Sequence, residues 1–274
     1  MKTFKRILGS LTLLISTVIL WIPIYYLLIG AFKERGDIVK YPLVINPEMF
    51  TTENFSYAIS RMHIWKSLLN TSIITVVALL MVIVAGSLAG FSVARINHKG
   101  FKIFYSVIVA LMVIPFIGAL LPIVTLIRDM NLVDNLMGNI LIQAAWNLPF
   151  AIFLFAGFMR GIPKDLEFAA YIDGCSTFGI YFKIFLPLLK PVIATCCIRS
   201  GIGIWNDYLV SASLLNVTGH PTLMVSVYQF FGQYVSQYGY AFAGIVMASL
   251  PIIVMFIALQ KYFVKGMVAG AVKG

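Results

Sequence analysis

Trp205, Asn206, Asp207 and Tyr208 stand in a row inside an otherwise apolar stretch, and Gln143, Trp146 and Asn147 cluster inside another. Polar groups within hydrocarbon are costly without partners, so these residues are the first candidates for a solute pathway. Indole and phenol faces stack on the C–H faces of sugars, while amides and carboxylates bind hydroxyls, so the mixture suits a carbohydrate. Interfacial aromatics and helix-to-helix hydrogen bonds are the opposing reading. Arg199 lies eight residues past Pro191, deep in the same stretch as Trp205. It either snorkels toward the nearer surface or lines a cavity, pairing with an acidic group of a cargo or partner. His63, His98 and His220 are scattered, and Cys175, Cys196 and Cys197 form no disulfide or metal pattern. No nucleophile, paired carboxylates or metal set is suggested. Catalysis and a bound cofactor are therefore not expected.

A second group of residues could do mechanical work. Glu167 to Pro191 has mixed polarity, small residues and a central glycine, between two long apolar segments. Leu166, Ala169, Ala170 and Asp173 follow i, i+3, i+4, i+7 spacing and share one face of a short helix. Two alanines there permit close approach of another backbone. Gly174 can take positive φ and end the helix. Pro187 stops the segment that follows. An interfacial amphipathic helix without a partner is the competing reading.

The elements that hold these residues are membrane spans. Hydrophobic residues make up 61% of the chain, charged residues 11%, and mean hydropathy is +0.95, far from a soluble domain. A bilayer core about 30 Å thick needs roughly 20 apolar helical residues. Six stretches qualify: 8–31, 67–94, 103–124, 139–159, 190–213 and 240–263. No period-two alternation runs through them, which argues against a barrel. The expected class is all-α, a polytopic membrane protein with about six transmembrane helices.

The net charge of +10 is a topology signal, not a nucleic-acid footprint. With the N-terminus cytoplasmic, thirteen of the twenty Lys and Arg fall on the inner side, which favours both termini inside. Lys2, Lys5 and Arg6 before an apolar run resemble a signal peptide, but the run is long and lacks a clear cleavage site, so a retained span is expected. The division expected is a first helix and outer loop over 1–65 and a core over 66–274, with a cytoplasmic loop at 160–189. Gly86-x-x-x-Gly90 and Gly157-x-x-x-Gly161 permit close helix approach. Pro23, Pro115, Pro122, Pro149 and Pro251 are expected to break or bend spans.

Leu166-Glu167-Phe168-Ala169-Ala170-Tyr171-Ile172-Asp173-Gly174, with Leu186-Pro187 beginning thirteen residues beyond Asp173, resembles the "EAA" coupling loop of binding-protein-dependent ABC importer permeases. The surroundings are similar to the carbohydrate branch, the maltose-type second permease. Leu88 to Arg95, Leu148-Pro149-Phe150 through Gly161-Ile162-Pro163, Trp205-Asn206-Asp207-Tyr208, Gln260-Lys261-Tyr262-Phe263 and Gly270 to Gly274 each match a stretch of that family. One departure is plain: Phe168 stands where an acidic residue precedes the alanines, which leaves Glu167 alone.

The resemblance implies an ABC type I importer permease fold in a prokaryotic cell membrane. It implies coupling to the ATPase through Glu167, Ala169, Ala170, Asp173 and Gly174. The polar residues within the spans, Gln143, Trp146, Asn147, Arg199, Trp205, Asn206, Asp207 and Tyr208, are the expected lining of the pathway. The partners implied are a second permease subunit, two ATP-binding cassette subunits, an extracytoplasmic solute-binding protein, membrane lipid and a carbohydrate, with no nucleic acid. No G-x-x-x-x-G-K-[ST] loop occurs in this chain, so ATP hydrolysis is expected in a partner. The tail Ala269–Gly274 is similar to one that reaches between the two ATPases. Alternating access is the expected mechanism. The same architecture carrying a polyamine or anion is the main alternative. An ion-coupled carrier is the second, with Asp207 its sole mid-span carboxylate.

Overall fold

The computed structural model describes residues 2–232 and 237–271, and side chains for 6–232 and 237–261. Of the tail Ala269–Gly274, residues 272–274 and the side chains of 269–271 lie outside the described residues. Among the described residues the backbone is helical apart from turns, irregular connections and isolated bridge residues, including the antiparallel pair Lys33 and Phe50. In chain order the helices are α1 (Lys2–Gly30), α2 (Arg35–Lys40), α3 (Glu53–Arg61), α4 (Ile64–Arg95), α5 (Lys99–Leu111), α6 (Phe116–Asp129), α7 (Leu136–Arg160) and α8 (Asp165–Ile172). There follow α9 (Thr177–Ile180), a π-helical turn (Tyr181–Phe185), α10 (Leu186–Leu188), α11 (Lys190–Trp205), α12 (Leu209–Leu214), α13 (Leu223–Tyr228) and α14 (Tyr238–Ala271).

Among the described residues four helices are long and apolar enough to cross a membrane: Arg6–Gly30, Ile64–Arg95, Leu136–Arg160 and Tyr238–Lys261. The other two expected spans are bent pairs, which gives six among the described residues when each pair is taken as one span. The stretch 103–124 is not one straight helix, because α5 and α6 meet at 108° across Met112–Pro115. Pro115 lacks an N–H and disfavours helical backbone at Ile114, so the helix ends there and α6 restarts from it. Pro23, Pro122, Pro149 and Pro251 instead sit inside continuous helices. The stretch 190–213 is likewise split. Helix α11 follows Thr177–Leu188 at 69° and stops at Trp205, and α12 begins four residues later.

Two compact units form, Met1–Ser67 with Leu223–Leu250, and Leu68–Thr222 with Pro251–Gly274.

In the first unit, the most apolar window of α1 is wholly exposed on this chain. The connection after α1 is ordered by polar side chains. Asn54 donates Nδ2 to the carbonyls of Ala31 and Lys33 at 3.0 and 2.8 Å. Lys33, fully buried, donates Nζ to the Tyr41 carbonyl at 2.8 Å. Tyr57 stacks on Tyr240 with ring centres 4.1 Å apart.

The second unit is built on α4 and α7. A Cβ on Gly86 would lie 2.8 Å from Ala151 Cβ, and one on Gly90 would lie 2.8 Å from Phe155 Cβ and 3.0 Å from the Ala156 nitrogen. This glycine pair is a true helix–helix contact. Gly157, in the other pair, has open space around it. Overpacking costs about 1–3 kcal/mol even where side chains can shift, and at Gly90 backbone stands in the way. Gly90→Leu is therefore expected to cut the yield of monodisperse protein severely, read by fluorescence-detected size-exclusion chromatography, whereas Gly157→Leu leaves it unchanged.

The turn between α6 and α7 is pinned by Asp134, which takes φ of +55°. Its Oδ1 accepts the Asn216 amide at 2.8 Å and meets His220 Nδ1 at 3.0 Å. The Asn216 amide, and then the His220 contact, hold the Asp134 carboxyl below its ordinary value. A depressed carboxylate stabilises the fold above its unfolded pKa and ceases to as pH falls through the folded one. Hydrogen-exchange protection at Asn216 is thus expected to hold above pH about 4 and to fade in more acid solution. Asp134→Asn should abolish that pH dependence.

Candidate functional site

The loop from Gly161 to Leu189 is built around one ion pair. Arg95, the last residue of α4, places Nε 2.8 Å from Glu167 Oε1, with side-chain exposures of only 6% and 13%. The approach is off-line for a hydrogen bond, so charge carries the contact. The same guanidinium donates Nη2 to the Ile162 carbonyl at 2.7 Å and lies over the Phe185 ring at 4.9 Å. Arg95 therefore holds both ends of the loop. Glu167 faces inward to α4 and not to solvent.

Helix α8 ends as its sequence requires. Gly174 takes φ of +80°, and the Cys175 amide reaches back to the Ala170 carbonyl at 2.9 Å. Ser176 Oγ then accepts the Gly179 amide at 3.2 Å and starts α9. Of the face expected from the spacing, Ala170 is buried in the chain's own core, while Leu166, Ala169 and Asp173 are exposed. Outward lie Phe168 at 59% exposure, Ile172 at 86% and Phe178 at 73%, with Leu166 and Tyr171 beside them. This is a concentrated apolar surface on a short helical hairpin.

The polar residues of the spans form two sets. In one, Asp207 terminates α11 and starts α12: its carboxylate accepts the Val210 amide at 3.2 Å, the Ser211 amide at 2.9 Å and Ser211 Oγ at 2.8 Å. Asn139 donates Nδ2 to the same Ser211 Oγ at 3.0 Å. Such side-chain bonds to free amides offer the backbone an alternative to continuing the helix. Trp205 is buried beside this break and Asn206 is exposed, with Tyr208 half-buried.

In the second set, Asn147 Oδ1 accepts from Arg199 Nη1 at 3.3 Å, and the guanidinium sits 4.8 Å from the Phe150 ring centre. Trp146 packs against Phe116 at 4.6 Å. Arg199, Trp146 and Phe150 line a cavity of about 320 Å³ with Met112 and Ile114 of the α5–α6 break. Asn147 lies thirteen residues from the end of α7 at Arg160, about 20 Å along the axis at 1.5 Å per residue. Arg199 is thus tied across to the middle of α7. A guanidinium at the centre of a lone span costs about 2.5–3.5 kcal/mol on insertion scales.

Asn139 was missed as a site residue. It is fully buried and begins the stripe Asn139, Gln143, Asn147 on α7, whose i, i+4, i+8 spacing was readable. Among the described residues its Oδ1 and the Gln143 Nε2 are buried without a hydrogen-bond partner. Phe150 was missed too, because only the fold brings it under Arg199.

A family described as "Binding-protein-dependent transport system inner membrane component" matches residues 82–269. The melibiose/raffinose/stachyose import permease protein MelC of Bacillus subtilis is 39% identical over 255 residues, covering 93% of this chain and 92% of that one. A probable starch degradation products transport system permease protein, AmyC, of Thermoanaerobacterium thermosulfurigenes is 32% identical over 270 residues, covering 98% and 97%. In a crystal structure of a bacterial ABC transporter involved in import of the acidic polysaccharide alginate, one chain superposes with a TM-score of 0.82 at 22% identity, over 95% of this chain and 97% of that one. That likeness speaks to the fold. The family match and the two relatives over nearly their full length carry the assignment: the chain belongs to the inner membrane components of binding-protein-dependent transport systems.

Proposed function

We propose that this chain is one permease subunit of an ATP-driven importer of sugars of the oligosaccharide type. The observation that carries the reading is the hairpin of α8 and α9, an apolar surface led by Ile172 and Phe168 and anchored to α4 through Arg95 and Glu167. Exposed apolar surface of this kind marks a protein contact. Two separate ATP-binding subunits drive the hairpin, and the ion pair passes the movement directly to α4. Phe168 replaces an ionic contact with an apolar one. Both termini and the hairpin lie in the cytoplasm. A second permease subunit completes the conduit, and a solute-binding protein delivers cargo from outside.

Sugar as the cargo rests on the named substrates of the two relatives, and the mixture of indole, amide and guanidinium groups near mid-span suits it. The test is reconstitution of the chain with its partner permease, ATPase and binding protein in proteoliposomes. ATP-dependent uptake of melibiose, raffinose or stachyose is the expected result. Concentrative uptake by this chain alone, without a nucleotide-hydrolysing partner, overturns the reading.

A further inference from the structure

Arg199 is exposed on this chain although it belongs to a membrane helix, and only one of its five N–H donors is engaged among the described residues. That bond, 3.3 Å to Asn147, is long and easily exchanged. A guanidinium with spare donors does not face lipid tails, so the face it occupies must meet water, cargo or another protein. The cavity beneath it tells these apart. Its volume of about 320 Å³ lies at the small end of the range for small-molecule sites. Trp146 and Phe150 give it aromatic walls, and among the described residues Arg199 is the one charged residue lining it. One strong donor group beside an indole face is the chemistry that recognises a single sugar ring.

Resting on the sugar-importer reading, we infer that this cavity is a transit subsite for one sugar ring. Arg199 donates to two adjacent ring hydroxyls, and Trp146 covers the ring's C–H face. Asn147 orients the guanidinium between passages. Met112 and Ile114 place the α5–α6 break at the cavity wall, so a change in the angle between those arms opens or closes the subsite. The chain then contributes recognition of its own and is not a mere wall to a pathway read by its partner.

The test measures raffinose uptake per assembled complex in proteoliposomes holding all subunits and the binding protein. Because the binding protein sets the KM, the expected change is in maximal rate: Arg199→Ala and Trp146→Leu each lower it about tenfold or more, and Arg199→Lys recovers part of the loss. An Ala145→Cys variant places a thiol at the cavity wall, since Ala145 also lines it. A small charged methanethiosulfonate is expected to modify that thiol, more slowly with raffinose-loaded binding protein and ATP. Maximal uptake by Arg199→Ala equal to the parent's overturns the subsite. So does thiol modification indifferent to raffinose, which points to a contact with the second permease. Should Arg199→Ala fail to assemble, the Trp146→Leu rate and the thiol experiment decide. Parent complex taking up none of melibiose, raffinose and stachyose overturns the cargo reading and the subsite with it. Parent uptake with unaffected variants overturns the subsite alone.

Discussion

Glu167→Lys is expected to abolish transport while the spans still fold. The substitution sets a second cation against Arg95, where both side chains are almost fully buried. Removing one partner of a buried pair costs about 3–5 kcal/mol, because the remaining charge stays desolvated. Glu167→Gln keeps the shape and loses only the charge, so it should retain more activity than Glu167→Lys. Arg95→Glu should be worse than either, since it also removes the bond to the Ile162 carbonyl and the contact over Phe185. The double exchange, Arg95→Glu with Glu167→Arg, restores opposite charge but not those two contacts, so only partial rescue is expected. The measurements are uptake by the reconstituted complex and protease sensitivity of the 161–189 loop. A Glu167→Lys protein with parent uptake and an intact loop would show that the pair does not tie the hairpin to α4.

Ile172→Glu should act differently, separating the partner from a sound permease. Ile172 is 86% exposed, so the isolated chain should change in stability by no more than about 0.5 kcal/mol. Apolar anchors at the centre of an interface are worth about 2 kcal/mol or more, which is a loss of affinity of about thirtyfold. Co-purification of the ATPase subunit should therefore fall while yield and monodispersity of the permease stay at parent levels. Phe168→Glu is the more informative companion. It supplies the acidic side chain that the resembling loops carry, so strengthened ATPase capture would mean that the partner still offers a cation there. Weakened capture would mean the contact has become apolar.

Much of this was legible in the sequence because membrane solvation leaves few choices. Uninterrupted apolar stretches became the four continuous spans, and Gly174 did end α8 at positive φ. Gly86 and Gly90 could be matched to a helix contact by type and spacing, though not to α7. Helix breaks were legible only in part. Pro115 and Pro122 look alike in sequence, yet only Pro115 interrupts a helix. The end of α11 depends on an Asp207 carboxylate bound to amides three and four residues on, a local competition that hydropathy does not register. The inward turn of Glu167 depends on Arg95, seventy-two residues earlier in the chain. A pair so distant in sequence is invisible to local spacing.

The bend between α5 and α6 has a consequence for how the protein is made. The two arms have 13 and 14 residues, about 20 Å each, against a hydrocarbon layer of about 30 Å. Neither is a satisfactory passenger for the translocon by itself. Together they are long and apolar enough for one span, so the two arms are expected to enter the bilayer as a single hydrophobic unit that bends at Pro115.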